Sequence, residues 1–241
     1  MTDAPRICGL VPLYDNAATV GRVVAGLRAH LPRVVVVDDG STDGGASVLP
    51  PDPGVTVVPH PQNRGKGAAV KTGIASARLL GFTHVLQMDA DDQHDAADIP
   101  RFLAACRADP SALWAGERLW DANAPGSSRF GRRFGMFWWR LETGGHPLTD
   151  TQCGYRLYPL SLFDAVRVGG DRMEFDVEVL VRAAWAGVPV RGIPTQVRYG
   201  PPGQHRSHFR PLRDNLRMTW LHTRLCLARW LRALVPGRGR P

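Results

Sequence analysis

The chain is poor in cysteine, and none of its four cysteines sits near another. Cys8, Cys106, Cys153 and Cys226 are scattered over 241 residues without a CxxC spacing. That pattern fits reduced thiols and argues against a disulfide framework or a cysteine-built zinc site. Residues Met1 to Arg6 hold no basic segment followed by an apolar one, so no signal peptide is expected and a cytoplasmic location is. The apolar pattern from Leu212 to Val235 is interrupted by Arg224, Arg229 and Arg232. Each of these is costly in a hydrocarbon core, so the stretch is not expected to span a bilayer. The turn after the first apolar run reads Pro12-Leu13-Tyr14-Asp15-Asn16 and lacks GxGxxG, which sets aside a dinucleotide fold. A sugar nucleotidyltransferase is harder to exclude on fold class, but its glycine-rich phosphate loop is also missing near the N-terminus.

Acidic charge is scarce at one end only. The formal charge is +8, and from Gly203 onward nine arginines face a single acid, Asp214. Residues 1–202 hold 21 basic and 21 acidic side chains and are neutral. A neutral body with a basic end directs an anionic partner to that end. Leu216, Trp220, Leu227, Trp230 and Leu234 fall on one stripe of a helix over 212–235, and Arg210, Arg213, Arg217 and Arg224 on another. A basic amphipathic helix with tryptophans reads as lying on an anionic membrane surface; a helix docked on the body is the alternative. No nucleic-acid partner is expected, because no recognisable binding module accompanies the basic residues. The division is therefore a catalytic body, 1–210, and a basic amphipathic helix and tail, 211–241.

Within the body, strands and helices alternate. Ile7 to Leu13 reads as a strand and Asn16 to His30 as a helix with Val20, Val23, Val24 and Leu27 on one side. Val34 to Val37 is a run of β-branched residues suited to a strand buried on both faces. Val55 to Val58 is a third strand, Ala68 to Leu80 a helix, and Thr83 to Met88 a fourth strand. This order implies an α/β fold, a doubly wound and mostly parallel sheet with flanking helices. Ligands in such sheets sit at the carboxyl ends of the strands, which here carry Asp38-Asp39-Gly40 and Asp89-Ala90-Asp91. Clustered carboxylates repel unless a cation compensates them. On an extended backbone Asp89 and Asp91 point the same way, and two hard oxygen ligands suit Mg²⁺ or Mn²⁺ shared with a diphosphate. A solvated acidic turn capping the next helix is the competing reading.

The combination of Val11-Pro12-Leu13-Tyr14, Val37 to Asp43, Asn63-Arg64-Gly65-Lys66-Gly67 and Asp89-Ala90-Asp91 resembles the family 2 glycosyltransferases of GT-A fold. Asp150 to Arg156 and Glu174 to Leu180 resemble the dolichyl- and polyprenyl-phosphate mannose synthase branch of that family. The likeness covers roughly residues 6–210. Asp15 departs from it, standing where the family more often has Asn.

The resemblance implies a metal-dependent, inverting transfer of a sugar from a UDP- or GDP-linked donor to a membrane lipid, with polyprenyl phosphate first. It places Pro12, Tyr14, Asp38 or Asp39, Lys66, Asp89 and Ala90 at the nucleotide. Asp89, Asp91 and Gln93 would hold the metal, with His94 packing behind them. Arg118, Ser128, Arg132 and Arg133 would meet the acceptor, whose chain would lie on the aromatics between Phe134 and Trp139. Arg206 or His208, in a mobile loop, would touch the departing diphosphate. Asp91, Asp150 and Arg206 are the catalytic candidates. Asp150 would serve as base only for a hydroxyl acceptor, since a phosphate is already ionised. Arg156 is expected to pair with Glu174 or Asp176. Residues 207–215 also resemble glycosyltransferases of aryl-polyene and other lipid pathways, which keeps a hydroxyl-bearing lipid open as acceptor. A non-catalytic membrane-binding protein on a degenerate transferase fold is the other alternative. The implied location is peripheral, at the inner face of the membrane.

Overall fold

The computed structural model describes residues 4–119, 126–198 and 211–234, and the side chains of 126–130, 211, 212 and 233 lie outside that description. One seven-stranded sheet runs in the order β3-β2-β1-β4-β6-β5-β7. Its strands are β1 (Ile7–Leu13), β2 (Val34–Asp38), β3 (Val55–Pro59), β4 (His84–Gln87), β5 (Leu113–Arg118), β6 (Arg156–Pro159) and β7 (Val190–Thr195). The first four are mutually parallel, with Gly9 opposite Val34, Val34 opposite Val55 and Ile7 opposite His84. β6 enters antiparallel to both β4 and β5, and β5 pairs parallel with β7.

The sheet is covered on both faces, as its continuous apolar strands require. On one face α1 (Ala17–Arg28) and α3 (Ile99–Ala108) bury Val20, Val23, Leu27, Ile99 and Phe102 against Val11, Val34, Val36 and Leu86. On the other, α2 (Lys66–Leu79) and α6 (Glu174–Trp185) pack Val70, Ile74, Phe175 and Leu180 against Cys8, Leu10, Val35 and Val37. The remaining helices are α4 (Gly126–Thr143), the short α5 (Leu162–Ala165) and α7 (Pro211–Leu234).

The expected strands and helices over the first ninety residues are present within two residues at each end, and the late helix spans Pro211–Leu234. Of the two arrangements the sequence left open, the helix docks on the body. Leu221 and Leu225 are buried in the core that also holds Trp139, which contributes about 1.5–3 kcal/mol for each leucine. His222 Nδ1 lies 2.7 Å from Glu142 Oε1, and its ring stacks on Trp138 at 5.2 Å between centroids. Arg232 stands over the Trp185 ring. The opposite stripe faces outward: Trp220 is 64% and Trp230 61% exposed, with Leu216, Leu227, Leu231 and Leu234 beside them. No helix among the described residues is long and apolar enough to cross a membrane.

Candidate active site

The carboxyl ends of β1, β2 and β4 meet where the sheet's order places a ligand crevice. The loops after β1 and β2 are tied together first. Asp15 adopts a left-handed backbone conformation (φ 47°), its Oδ1 accepts the Thr42 amide at 2.7 Å, and its own amide donates to Ser41 Oγ. Asp43 Oδ2 accepts the Ala17 amide at 2.7 Å and so caps α1 from across the crevice, satisfying a donor that a helix start leaves open.

The two acids ending β2 have different surroundings. Asp39 is buried. Its Oδ1 accepts the Arg64 amide at 2.9 Å and lies 2.7 Å from His60 Nδ1, while Oδ2 accepts the Gly65 amide at 2.7 Å. Asp39 thus pins the 60–65 segment that leads into α2. Gly65, at φ 108°, takes a conformation that side chains resist, and a Cβ there would collide with Arg172. Asp38 is half-buried and accepts the Ser41 amide at 2.9 Å.

The DxD segment differs from the expected geometry in one respect. β4 ends at Gln87, so Asp89 and Asp91 are not carried on an extended strand. A turn places them instead, held by Thr19 Oγ1 donating to the Ala90 carbonyl at 2.6 Å and by the left-handed Asp92 (φ 60°). Asp91 Oδ1 accepts the Gln93 amide at 3.2 Å. The Asp89 carboxylate occupies a space that only glycine leaves: a Cβ on Gly154 would stand 2.0 Å from Asp89 Oδ2.

Lys66 opens α2 and meets two acids. Its Nζ is 2.8 Å from Asp89 and 2.9 Å from Asp176, on the first turn of α6. Burial works to raise the Asp89 pKa, but Lys66 together with His94 and Gln87 holds the carboxyl below its ordinary range. Burial also works against the lysine's charge, yet Asp176 and Asp89 keep its pKa above the usual value. Arg156, fully buried, completes the chain at 3.6 Å from Asp176. It also donates to the Cys153 and Thr151 carbonyls, both at 2.8 Å. The expected pairing of Arg156 is therefore with Asp176.

His94 is buried, tilted against Tyr155 at 5.2 Å, and its Nδ1 has no hydrogen-bond partner among the described residues. Burial pushes its pKa down to about 4, so the ring is a neutral packing group at physiological pH. Among the described residues no cluster of three or more His, Cys, Asp or Glu could hold a metal by itself. The donor set of the Asp89 and Asp91 carboxylates and the Gln93 side-chain carbonyl oxygen fits a hard divalent cation that takes its remaining oxygens from a nucleotide. The Lys66 ammonium against Asp89 marks where positive charge is stabilised.

A second cluster lies beyond β5. Asp150 is fully buried and accepts from Arg118 Nε at 2.6 Å and Nη2 at 3.1 Å. Arg132 approaches it at 3.9 Å and donates to the Thr149 and Arg118 carbonyls at 2.9 and 2.7 Å. Burial works against the Asp150 charge, but Arg118, the Gln152 amide and Arg132 together hold the carboxyl below the usual range. Next to this cluster a cavity of about 560 Å³ is lined by Arg132, Arg133, Met136, Phe137, Arg140 and Leu141. Arg206, His208 and the Ser128 side chain lie outside the described residues. Asp176 and Gly154 were given no role at the DxD acids by the sequence. The signal for them was an acid in the first turn of α6 and a glycine two residues before a buried arginine, and neither is specific alone.

The model of glycosyl transferase family 2 matches residues 9–163, and the chain belongs to that family. It is a GT-A glycosyltransferase. It is 28% identical to the undecaprenyl-phosphate mannosyltransferase of Micrococcus luteus over 202 residues, covering 78% of this chain and 82% of that one. It is 25% identical to the UDP-N-acetylglucosamine–dolichyl-phosphate N-acetylglucosaminyltransferase of Methanococcus voltae, covering 79% and 84%. The Mycobacterium tuberculosis glucosyl-3-phosphoglycerate synthase, solved with Mn²⁺, UDP and phosphoglyceric acid, superposes with a TM-score of 0.70 at 16% identity. That match covers 94% of this chain and 78% of the synthase, a likeness of fold.

Proposed function

We propose that the chain moves a sugar from a UDP- or GDP-linked donor to a polyprenyl-type lipid phosphate at an anionic membrane face. The observation that carries this reading is the state of Asp150. A hydroxyl acceptor must lose a proton during attack and needs a base. Asp150 is buried, clamped by a bidentate guanidinium and held below the carboxylate range, which makes it a poor proton acceptor. It serves better to fix Arg118 and Arg132 as a phosphate cradle, for which the planar guanidinium is suited. Arg133 and Arg140 extend the cationic side and Met136, Phe137 and Leu141 supply an apolar floor, matching a charged head with a hydrocarbon chain. The relatives named for undecaprenyl and dolichyl phosphate support the same acceptor class.

An oxygen of the lipid phosphate attacks the anomeric carbon, the bond from that carbon to the nucleotide diphosphate breaks, and the configuration inverts. No proton need be removed. Asp89, Asp91 and Gln93 would hold Mg²⁺ or Mn²⁺, which supplies charge neutralisation on the leaving diphosphate. Lys66 and Arg206 add positive charge there, and Ala90 contributes backbone beside it. Pro12, Tyr14 and Asp38 receive the base and ribose, and Asp39 keeps the 60–65 loop in place. Ser128 and Arg133 complete the acceptor side. The outward stripe of α7 and Phe134, Phe137 and Leu141 of α4 set the enzyme on the cytoplasmic face of the bilayer.

The test is incubation with labelled UDP- and GDP-sugars, Mn²⁺ and vesicles carrying polyprenyl phosphate. Formation of an acid-labile lipid-linked sugar from one donor is expected. Absence of product with every donor, from an enzyme that still binds nucleotide and metal, contradicts the acceptor assignment.

A further inference from the structure

The lysine at the head of α2 occupies an unusual position for a phosphate ligand. Its ammonium sits 2.8 Å from Asp89, on the carboxylate that the reading above gives to the metal. The Lys66 side chain is only 13% exposed and its second partner, Asp176, 8%. Asp89 is blocked from retreating, because Gly154 already yields its Cβ space to that carboxylate. Asp176 has a reserve: its Oδ1 makes no hydrogen bond among the described residues. The lysine can therefore withdraw from Asp89 onto Asp176, while Arg156 keeps Asp176 in place.

We propose that Lys66 is a built-in counter-ion that competes with the divalent cation for Asp89 and yields when a nucleotide diphosphate arrives, so that metal and nucleotide load together. The inference rests on the assignment of Asp89 and Asp91 to the metal. In the free enzyme a cation entering at Asp89 meets an ammonium already hydrogen-bonded there, and the two like charges share one carboxylate in a partly dry crevice. Arg156 adds a further positive charge behind Asp176. A diphosphate brings the negative oxygens that satisfy both cations at once. Metal affinity is then low without nucleotide and high with it, and by linkage the nucleotide gains the same factor from the metal.

The experiment is a Mn²⁺ titration followed by the electron paramagnetic resonance signal of free Mn²⁺, with and without UDP. The wild type is compared with Lys66→Met, Lys71→Met and Asp91→Ala, and folding is followed by thermal melts. Lys66→Met is expected to bind Mn²⁺ alone about tenfold tighter than wild type, and the gain from UDP should shrink by a similar factor. Lys71, on the same helix but paired with Asp171 at 2.5 Å, controls for the mere loss of a positive charge and should change nothing. Should Lys66→Met fail to fold, Lys66→Met/Asp176→Asn removes lysine and partner together and is expected to show the same tightening. Unchanged or weaker Mn²⁺ binding in the folded Lys66 variant, or an equal gain in Lys71→Met, overturns the inference. Those results leave the metal assignment standing so long as Asp91→Ala abolishes Mn²⁺ binding. Undiminished binding in Asp91→Ala overturns that assignment, and the inference with it.

Discussion

The two sides of the crevice are prepared in opposite ways. On the nucleotide side, the carboxylates are compensated from within: Asp39 by backbone amides, and Asp89 by Lys66, with Asp176 and Arg156 behind it. On the side proposed for the acceptor, one buried carboxylate organises two arginines, and large apolar side chains face outward, with Phe137 59% and Trp220 64% exposed. Under the proposed function, a small polar donor would be met by a site with its charges already arranged, which lowers the reorganisation needed at binding. A lipid acceptor would be met by area and by a fixed cationic cradle. The contrast predicts that changes on the first side strike chemistry and folding, while changes on the second strike membrane residence and acceptor use.

The largest effect should come from breaking the first side at the metal. Asp91→Ala is expected to lower transfer by about a thousandfold or more, several kcal/mol of transition-state stabilisation, with an unchanged far-ultraviolet circular dichroism spectrum; full activity in that variant contradicts the metal site. Arg156→Met should strike folding instead. It leaves Asp176 without its guanidinium and the Cys153 and Thr151 loop carbonyls without this donor, at a cost of about 3–5 kcal/mol, read in a urea melt. On the other side, Trp220→Ser/Trp230→Ser should leave the melting temperature where it is, because both rings face outward. Co-sedimentation with anionic vesicles should fall by about tenfold or more, since each large apolar side chain contributes about 1.5–3 kcal/mol on burial. A melting temperature that drops with vesicle binding would mean that the stripe is structural.

The smallest effect sharpens the account of Asp150. Its folded pKa lies below the ordinary 3.8. Such a group adds stability that is fully present above the unfolded pKa and is lost as pH falls through the folded one. Acid unfolding of the wild type should therefore include a loss at and below about pH 4 that Asp150→Asn does not share. Identical acid slopes for the two proteins would show that the Arg118 pairing contributes nothing to the fold.

Much of the fold could be read from local pattern. Four consecutive valines at 34–37, buried on both faces, and the helical spacing of Val20, Val23, Val24 and Leu27 state their elements directly. The tail helix was legible for the same reason, while which of its apolar residues pack inward, Leu221 and Leu225 rather than Trp220 and Trp230, was not. The sheet's second half was not legible, because pairing β6 antiparallel between β4 and β5 depends on contacts across some seventy and some forty residues respectively that no periodicity encodes. At the site, the acids after β4 were visible but their geometry was not: strand spacing was expected to align Asp89 with Asp91, whereas they lie on a turn anchored by Thr19. The partners of Lys66 and Asp150 were hidden likewise. Asp176 is 110 positions from Lys66 and Arg118 is 32 from Asp150, and only the folded chain joins them.

The central claim is that the acceptor arrives ionised and that Asp150 holds arginines rather than taking a proton. It is tested most directly by a matched pair of acceptors, a polyprenyl phosphate and the polyprenol of the same chain length, offered with the same donor and Mn²⁺. The account predicts transfer to the phosphate and none to the alcohol, with a flat rate between about pH 7 and about 8, above the second ionisation of a phosphate monoester at about pH 6. Faster transfer to the alcohol, abolished by Asp150→Asn, would contradict it and return Asp150 to the role of base.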